Sequence, residues 1–338
     1  MSKRELAARV FCVVGFHKVI QGLRSMCAYD VPILAYHRVR DFDATYPFDV
    51  DLISATPEQF RWQVDYICKH FTPIRFSDLV KFLDDGCPLP ANPILVTFDD
   101  GFSDNYEIAF PILRDAGVPA TFFVSSGYIG GTGTFWFDEV CHMVLTTQET
   151  CVQLKGGLVL DFDDLSSRRQ AVFSVLQAMK RVDNATRLDW LESLRNLTGV
   201  RFPPKGAPDS RVMTWEQIRD MASHGMEIGS HTVTHPILNQ VSDEQLISEL
   251  ADSKEAIRHE TGTAPCVFAY PVGNREIVTE KVVRAVQETG YRIAVAYFRG
   301  VNQRFALNRY SLCRIAVEHY IKPDLFRASL SLPEVFLA

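Results

Sequence analysis

Pro93-Ile94-Leu95-Val96-Thr97-Phe98-Asp99-Asp100-Gly101 decides how this chain is read. The run from Pro93 to Phe98 carries no charge and has the length of a strand buried on both faces, as in a parallel sheet. It ends in two adjacent carboxylates. Further on, a second strand-like run, Met226 to Gly229, delivers Ser230-His231-Thr232-Val233-Thr234-His235, with two imidazoles four residues apart. One carboxylate and two imidazoles form a three-ligand set for a divalent metal, with a position left open for water. The remaining carboxylate is then free to take a proton from that water. The pattern is that of a metal-assisted hydrolase.

Working outward, strands and helices alternate. Val31 to His37, Ala120 to Val124, Cys266 to Tyr270 and Tyr291 to Tyr297 read as further strands. Helices are predicted over 54–70, 106–116, 214–224 and 277–289. A longer one is opened by Ser242 with Gln245 and closed by Gly262. Repeated strand–helix units with reactive residues at the strands' C-terminal ends predict an α/β barrel over 30–325, its site on that rim. Between 131 and 211 the alternation breaks. Ser166 to Arg181 and Thr186 to Leu197 read as helices, and Phe202-Pro203-Pro204-Lys205-Gly206-Ala207-Pro208 as the return. This is a mostly helical insertion within the barrel. Trp136, Phe137 and Asp138 at its start are candidates to face the site, Trp136 as a substrate contact. A substrate-shaping lid and a bundle that only packs on the barrel are both open.

At 338 residues and 47% hydrophobic content the chain can bury a large core. A net charge of −6, without a Lys/Arg stripe, excludes nucleic acid as the expected partner. Eight scattered cysteines with no C-x-x-C pair predict small buried hydrophobes in a reducing compartment. Residues 1–29 read as one basic amphipathic helix. Leu6, Val10, Val13, Val14 and Ile20 or Leu23 share a face, and Arg9, Lys18 and Arg24 can reach headgroups. The apolar run Val10 to Phe16 is too short to cross a bilayer and no small-residue cleavage pattern follows it. The expected location is cytoplasmic, peripheral on the inner membrane. Packing on the protein's own core is the alternative.

Three segments carry a family resemblance: Thr97 to Gly101, Ser230 to His235, and Phe268-Ala269-Tyr270-Pro271-Val272-Gly273. The chain resembles the polysaccharide deacetylases (NodB homology domain, carbohydrate esterase family 4), and within them the permuted subgroup acting on exopolysaccharide poly-N-acetylglucosamine. The resemblance implies an irregular (β/α)7 barrel. It also implies Asp99 as base and Asp100, His231 and His235 as ligands of a divalent metal, Zn²⁺ first, with Co²⁺, Ni²⁺ or Fe²⁺ compatible. By the same likeness His37, ending the run Ile33-Leu34-Ala35-Tyr36, is the acid, ahead of His319. Tyr270 and Pro271 are expected to touch substrate. The arginine that orients the base in many relatives is missing from Ala269-Tyr270-Pro271-Val272, and Tyr270 is the candidate replacement. The implied activity is hydrolysis of the N-acetyl group of an amino sugar, in a saccharide or a lipid-linked saccharide, during exopolysaccharide or glycolipid assembly. Hydrolysis of small amides or cyclic imides, and metal and saccharide binding without catalysis, are the alternatives.

Overall fold

The computed structural model describes residues 2–27, 30–43, 45–131, 133–202 and 208–337, so 203–207 of the Pro/Gly-rich return lie outside the described residues. Seven strands form the path of the main sheet: Ile33–Tyr36 (β1), Pro93–Phe98 (β2), Thr121–Val124 (β3), Glu227–Ser230 (β4), Val267–Ala269 (β5), Ile293–Val295 (β6) and Ile315–Ala316 (β7). All neighbours are parallel, in the order β6-β5-β4-β3-β2-β1-β7. The ends of this curled sheet are joined. Leu312, just ahead of β7, bridges Val295 at the end of β6, and its N–H donates to the Ala294 carbonyl (3.1 Å). The fold is the irregular barrel expected.

Alternation along β2 sorts the core. Val96 and Phe98 belong to the outer layer with Phe60, Ile67 and Phe110, while Leu95 joins Ile33, Phe123, Val267 and Val295 inside the barrel. The helices follow local signals. Lys3–Val13 (α1) and Phe16–Cys27 (α2) come first. Then come Pro57–His70 (α3), Phe76–Asp85 (α4) and Phe110–Asp115 (α5), the last preceded by a wide turn over Asn105–Ala109. After the insertion come Trp215–Ser223, Asp243–Thr261, Glu280–Glu288 and Pro323–Ser331. Helix α3 starts later than predicted. Ile53–Ala55 pairs as a short strand with Arg38–Val39, and Thr56 caps the helix with Pro57 in its first turn, where proline's missing N–H costs nothing. Phe76 and Leu79 of α4 share the interior cluster, and Glu227 at the start of β4 accepts from the N–H groups of Phe76 (2.8 Å) and Ser77 (2.9 Å).

Two other expectations change. The single helix read over 1–29 is two helices bent by 81°, because Gly15 takes a left-handed φ of +78° that ends the first. The insertion holds Trp136–Thr146 (α6), Leu165–Met179 (α7) and Asn184–Thr198 (α8), but also an antiparallel hairpin, Cys151–Gln153 with Val159–Asp161. The seven described cysteines are free. Cys12 and Cys141 are buried as expected, whereas Cys68, Cys87 and Cys151 are exposed on helix, loop and hairpin surfaces.

Gly229 in β4 faces the Phe123 ring inside the barrel, and a Cβ there would approach it to 2.4 Å. Gly229→Ala should therefore lower stability by about 1–3 kcal/mol through overpacking. A thermal melt checks this, and an unchanged midpoint would show that the ring has room to move.

Candidate active site

The register of β1 on β2 pairs Tyr36 with Phe98, so His37 and Asp99 leave neighbouring strands side by side. Their closest approach is 4.0 Å, from His37 Nε2 to Asp99 Oδ2. Asp99 continues the inward face of Thr97. Asp100 is turned away from it by a left-handed φ of +74°. Asp100 Oδ1 then lies 3.6 Å from His231 Nε2 and 3.4 Å from His235 Nε2, all three side chains buried. Ligands on a tetrahedral cation with bonds of about 2.0–2.1 Å stand about 3.4 Å apart. The trio fits a divalent metal.

The imidazoles are oriented from behind. His231 Nδ1 donates to the Ala269 carbonyl (2.8 Å), which fixes the tautomer and leaves the Nε2 lone pair for a metal. The Phe135 and Phe137 rings flank His235 edge-on, with centroids at 5.6 and 5.4 Å. Four of the five described non-glycine residues with positive φ, Asp100, Thr232, His235 and Val272, stand at this rim, a strain that surrounding structure must hold. Part of the hold comes from Ser126 and Gly127, whose N–H groups donate to the Thr232 and Val233 carbonyls (3.0 and 2.9 Å). Glu249 supplies more, accepting from the Val233 and Thr234 N–H groups (2.8 and 2.9 Å). Sequence reading missed Glu249, which looks like any acid on a helix.

The missing arginine is present. Arg314 donates through both terminal nitrogens to the Asp99 carboxylate (2.7 and 2.7 Å), and its Nε donates to the Ala296 carbonyl (3.1 Å). It enters on the segment that closes the barrel, not on the one after β5, and so corrects the expectation that the base lacks its orienting partner. Tyr270 is not the replacement. Its hydroxyl donates to the Tyr310 carbonyl (2.9 Å), though the residue lines the pocket. Pro271 is buried and does not line the pocket, whereas Val272 does. His319 also lies apart from the lining, with Nδ1 bonded to the Ile53 carbonyl (3.1 Å) and the ring against Phe42. The structure thus brings His37, not His319, to Asp99.

Burial alone would raise the Asp99 carboxyl, but the Arg314 guanidinium outweighs it and holds the group well below the usual carboxylate range. Burial and the neighbouring Asp99 charge push Asp100 the other way, far up. A cation bound there would take the place of the proton. Burial lowers His231 and His235, keeping both neutral and able to ligate. Burial also pushes His37 down to about 4, against the upward pull of Asp99.

These groups open into a pocket of about 510 Å³. Trp136 and Phe137 of α6 and Arg169 and Phe173 of α7, with Lys180 just beyond it, make one wall, so the insertion shapes the site. The Trp136 Nε1 is buried without a hydrogen-bond partner, and Arg187 lies over its ring at 5.1 Å. Asp138 does not line the pocket. It is fully buried, and burial pushes it up to about 7.

A family model described as polysaccharide deacetylase matches residues 87–151 and 153–294. YxkH of Bacillus subtilis is 24% identical over 235 residues, 70% of this chain and 55% of that one. A poly-beta-1,6-N-acetyl-D-glucosamine N-deacetylase of Staphylococcus epidermidis is 29% identical over 108 residues, 29% of this chain and 37% of the relative. The chain thus spans about half of the first and less of the second. Among solved structures, the Streptococcus pyogenes deacetylase PplD in complex with acetate superposes with a TM-score of 0.58 at 19% identity, covering 87% of this chain and 95% of that one. IcaB from Ammonifex degensii gives 0.57 at 18%, covering 92% and 98%. At these identities the structural likeness is one of fold.

Replacing Arg314 by Met removes the counter-ion of a buried carboxylate and should cost about 3–5 kcal/mol at neutral pH. Because the folded state holds Asp99 below its unfolded value of about 3.9, the pair's stabilisation is complete above that value and is lost as pH falls through the depressed one. The gap between wild type and Arg314→Met in urea melts should therefore narrow below about pH 4. An equal gap at pH 7 and in acid would show that the arginine acts by packing alone.

Proposed function

The chain belongs to the polysaccharide deacetylase family, and we propose that it is a metal-dependent hydrolase removing the N-acetyl group of an amino sugar. The substrate is a saccharide or a lipid-linked saccharide of exopolysaccharide or glycolipid assembly, met at the cytoplasmic side of the inner membrane. The observation that carries this is the placement of Asp99, ionised by Arg314, between a metal-sized ligand trio and the His37 imidazole.

Asp100, His231 and His235 would hold a divalent cation, Zn²⁺ first by donor type, which would polarise the acetamide carbonyl and acidify the attacking water. Asp99 takes the proton from that water as the water oxygen bonds to the carbonyl carbon. His37 starts neutral, and negative charge building on the carbonyl oxygen raises its affinity for a proton. The proton taken by Asp99 is the one the product amine needs. Passed to His37 and on to nitrogen as the C–N bond breaks, it spares the amine from leaving as an anion. Acetate and a free amino sugar result. Trp136, Phe173 and the Tyr270 ring offer apolar surface to the sugar.

Acetate release from N-acetylglucosamine oligomers and from a lipid-linked N-acetyl sugar tests this. Metal-loaded wild type should release acetate and the chelated protein should not, with Asp99→Asn and His37→Ala each lower by about 10²–10⁴-fold. Tight metal binding with no release from any sugar would turn the assignment to a hydrolase of small amides or imides.

A further inference from the structure

The N-terminal helix pair is anchored on one side and bare on the other. Ala8 and Cys12 of α1 pack with Leu325, Ala328 and Phe336. His17 and Gln21 of α2 are buried, Gln21 accepting from the Tyr66 hydroxyl (3.2 Å), and Arg24 is paired with Asp30 (2.6 Å) and Glu334 (3.0 Å). Away from these contacts, Leu6, Val10 and Val13 recur at helical spacing on α1, and Phe16, Val19 and Leu23 on α2. All six are more than half exposed, from 51% at Leu6 to 77% at Val13. Lys3 and Arg9 stand three residues before and after Leu6, on the same side of α1, and Lys18 opens α2. These three cations are exposed and form no ion pair among the described residues.

Apolar side chains bordered by unpaired cations complement one kind of surface, an anionic lipid leaflet with phosphates above and acyl chains below. We propose that α1 and α2 dock the protein on such a leaflet, lying in the interface. They do not span it. No single described helix is long and apolar enough. At about 1.5 Å per residue, helices of 11 and 12 residues also fall short of a hydrocarbon core of about 30 Å. The bent pair meets the length and composition test only jointly, and its inner side is occupied by the body of the protein. The docking surface rests on the membrane-side location proposed above, but none of its residues lines the catalytic pocket.

Flotation of the full chain with vesicles tests it, using phosphatidylcholine alone and phosphatidylcholine with about 30% phosphatidylglycerol. The protein should float with the anionic vesicles, far less with the neutral ones, and be released by salt. Val10→Glu/Val13→Glu/Val19→Glu should weaken binding about tenfold or more, and Lys3→Glu/Arg9→Glu should do so on anionic vesicles only. Both variants should keep the wild-type melting midpoint and acetate release from a soluble oligomer. No flotation, or flotation unchanged in both variants, would overturn the proposal. So would a dimer in light scattering that the triple variant dissolves, which would put a second copy on this face. Failure of the deacetylase assignment would appear in the acetate assay alone and leave flotation untouched.

Discussion

The bidentate pair between Arg314 and Asp99 is the interaction on which the rest of the molecule's chemistry depends. Buried ion pairs are costly to desolvate and survive only where hydrogen bonds complete them. Here the guanidinium also bonds the Ala296 carbonyl and rests over the Phe123 and Tyr297 rings, at 5.7 and 5.6 Å. One cation thereby divides two adjacent carboxylates. Asp99 is driven below its usual range, while burial and then the charge Asp99 keeps drive Asp100 above. Two identical side chains thus come apart, one held ionised at neutral pH and the other favouring a proton or a cation. The apolar barrel interior beneath them sharpens the contrast, because an apolar surround screens charge weakly.

What the sequence made legible was local. The apolar run of β2 ends in its own carboxylates, and the histidine loop follows its own strand, so each can be read in place. The helix start at Ser242 is likewise written in its capping residues. Arg314 was not legible as the partner of Asp99, because the two lie 215 residues apart and β7 is only two residues long. A strand so short has no period to recognise, and the one sign was a charge entering an apolar run. The three-residue strands of the insertion hairpin escaped for the same reason. The break at Gly15 was hidden by Val13 and Val14, which continue the apolar face as though the helix ran on.

The insertion is tied to the barrel through the site it walls. Its apolar core, with Met143, Val175 and Leu194, also takes in Phe48 and Ile53 from the segment that follows β1. The wall is therefore packed against the connection leaving His37, while Asp100, His231, His235 and Arg314 stand on segments flanking the sheet's own strands. Substitutions at Arg169 and Phe173 of α7 can reshape what fits the pocket while leaving the packing on His235 to Phe135 and Phe137, which is how one scaffold can serve many substrates.

The late arrival of β7 has a consequence for the order in which the protein comes to life. The ligand trio is complete in the chain once His235 has been made, and its supporting carbonyl once Ala269 has. The partner of Asp99 follows only with Arg314, in the segment that leads into β7 and joins both ends of the sheet. Between those lengths a growing chain holds Asp100, His231 and His235 and lacks the counter-ion of Asp99. Synthesis from one end to the other thus delivers the trio before the partner of Asp99, and the same late segment both closes the sheet and completes that buried ion pair.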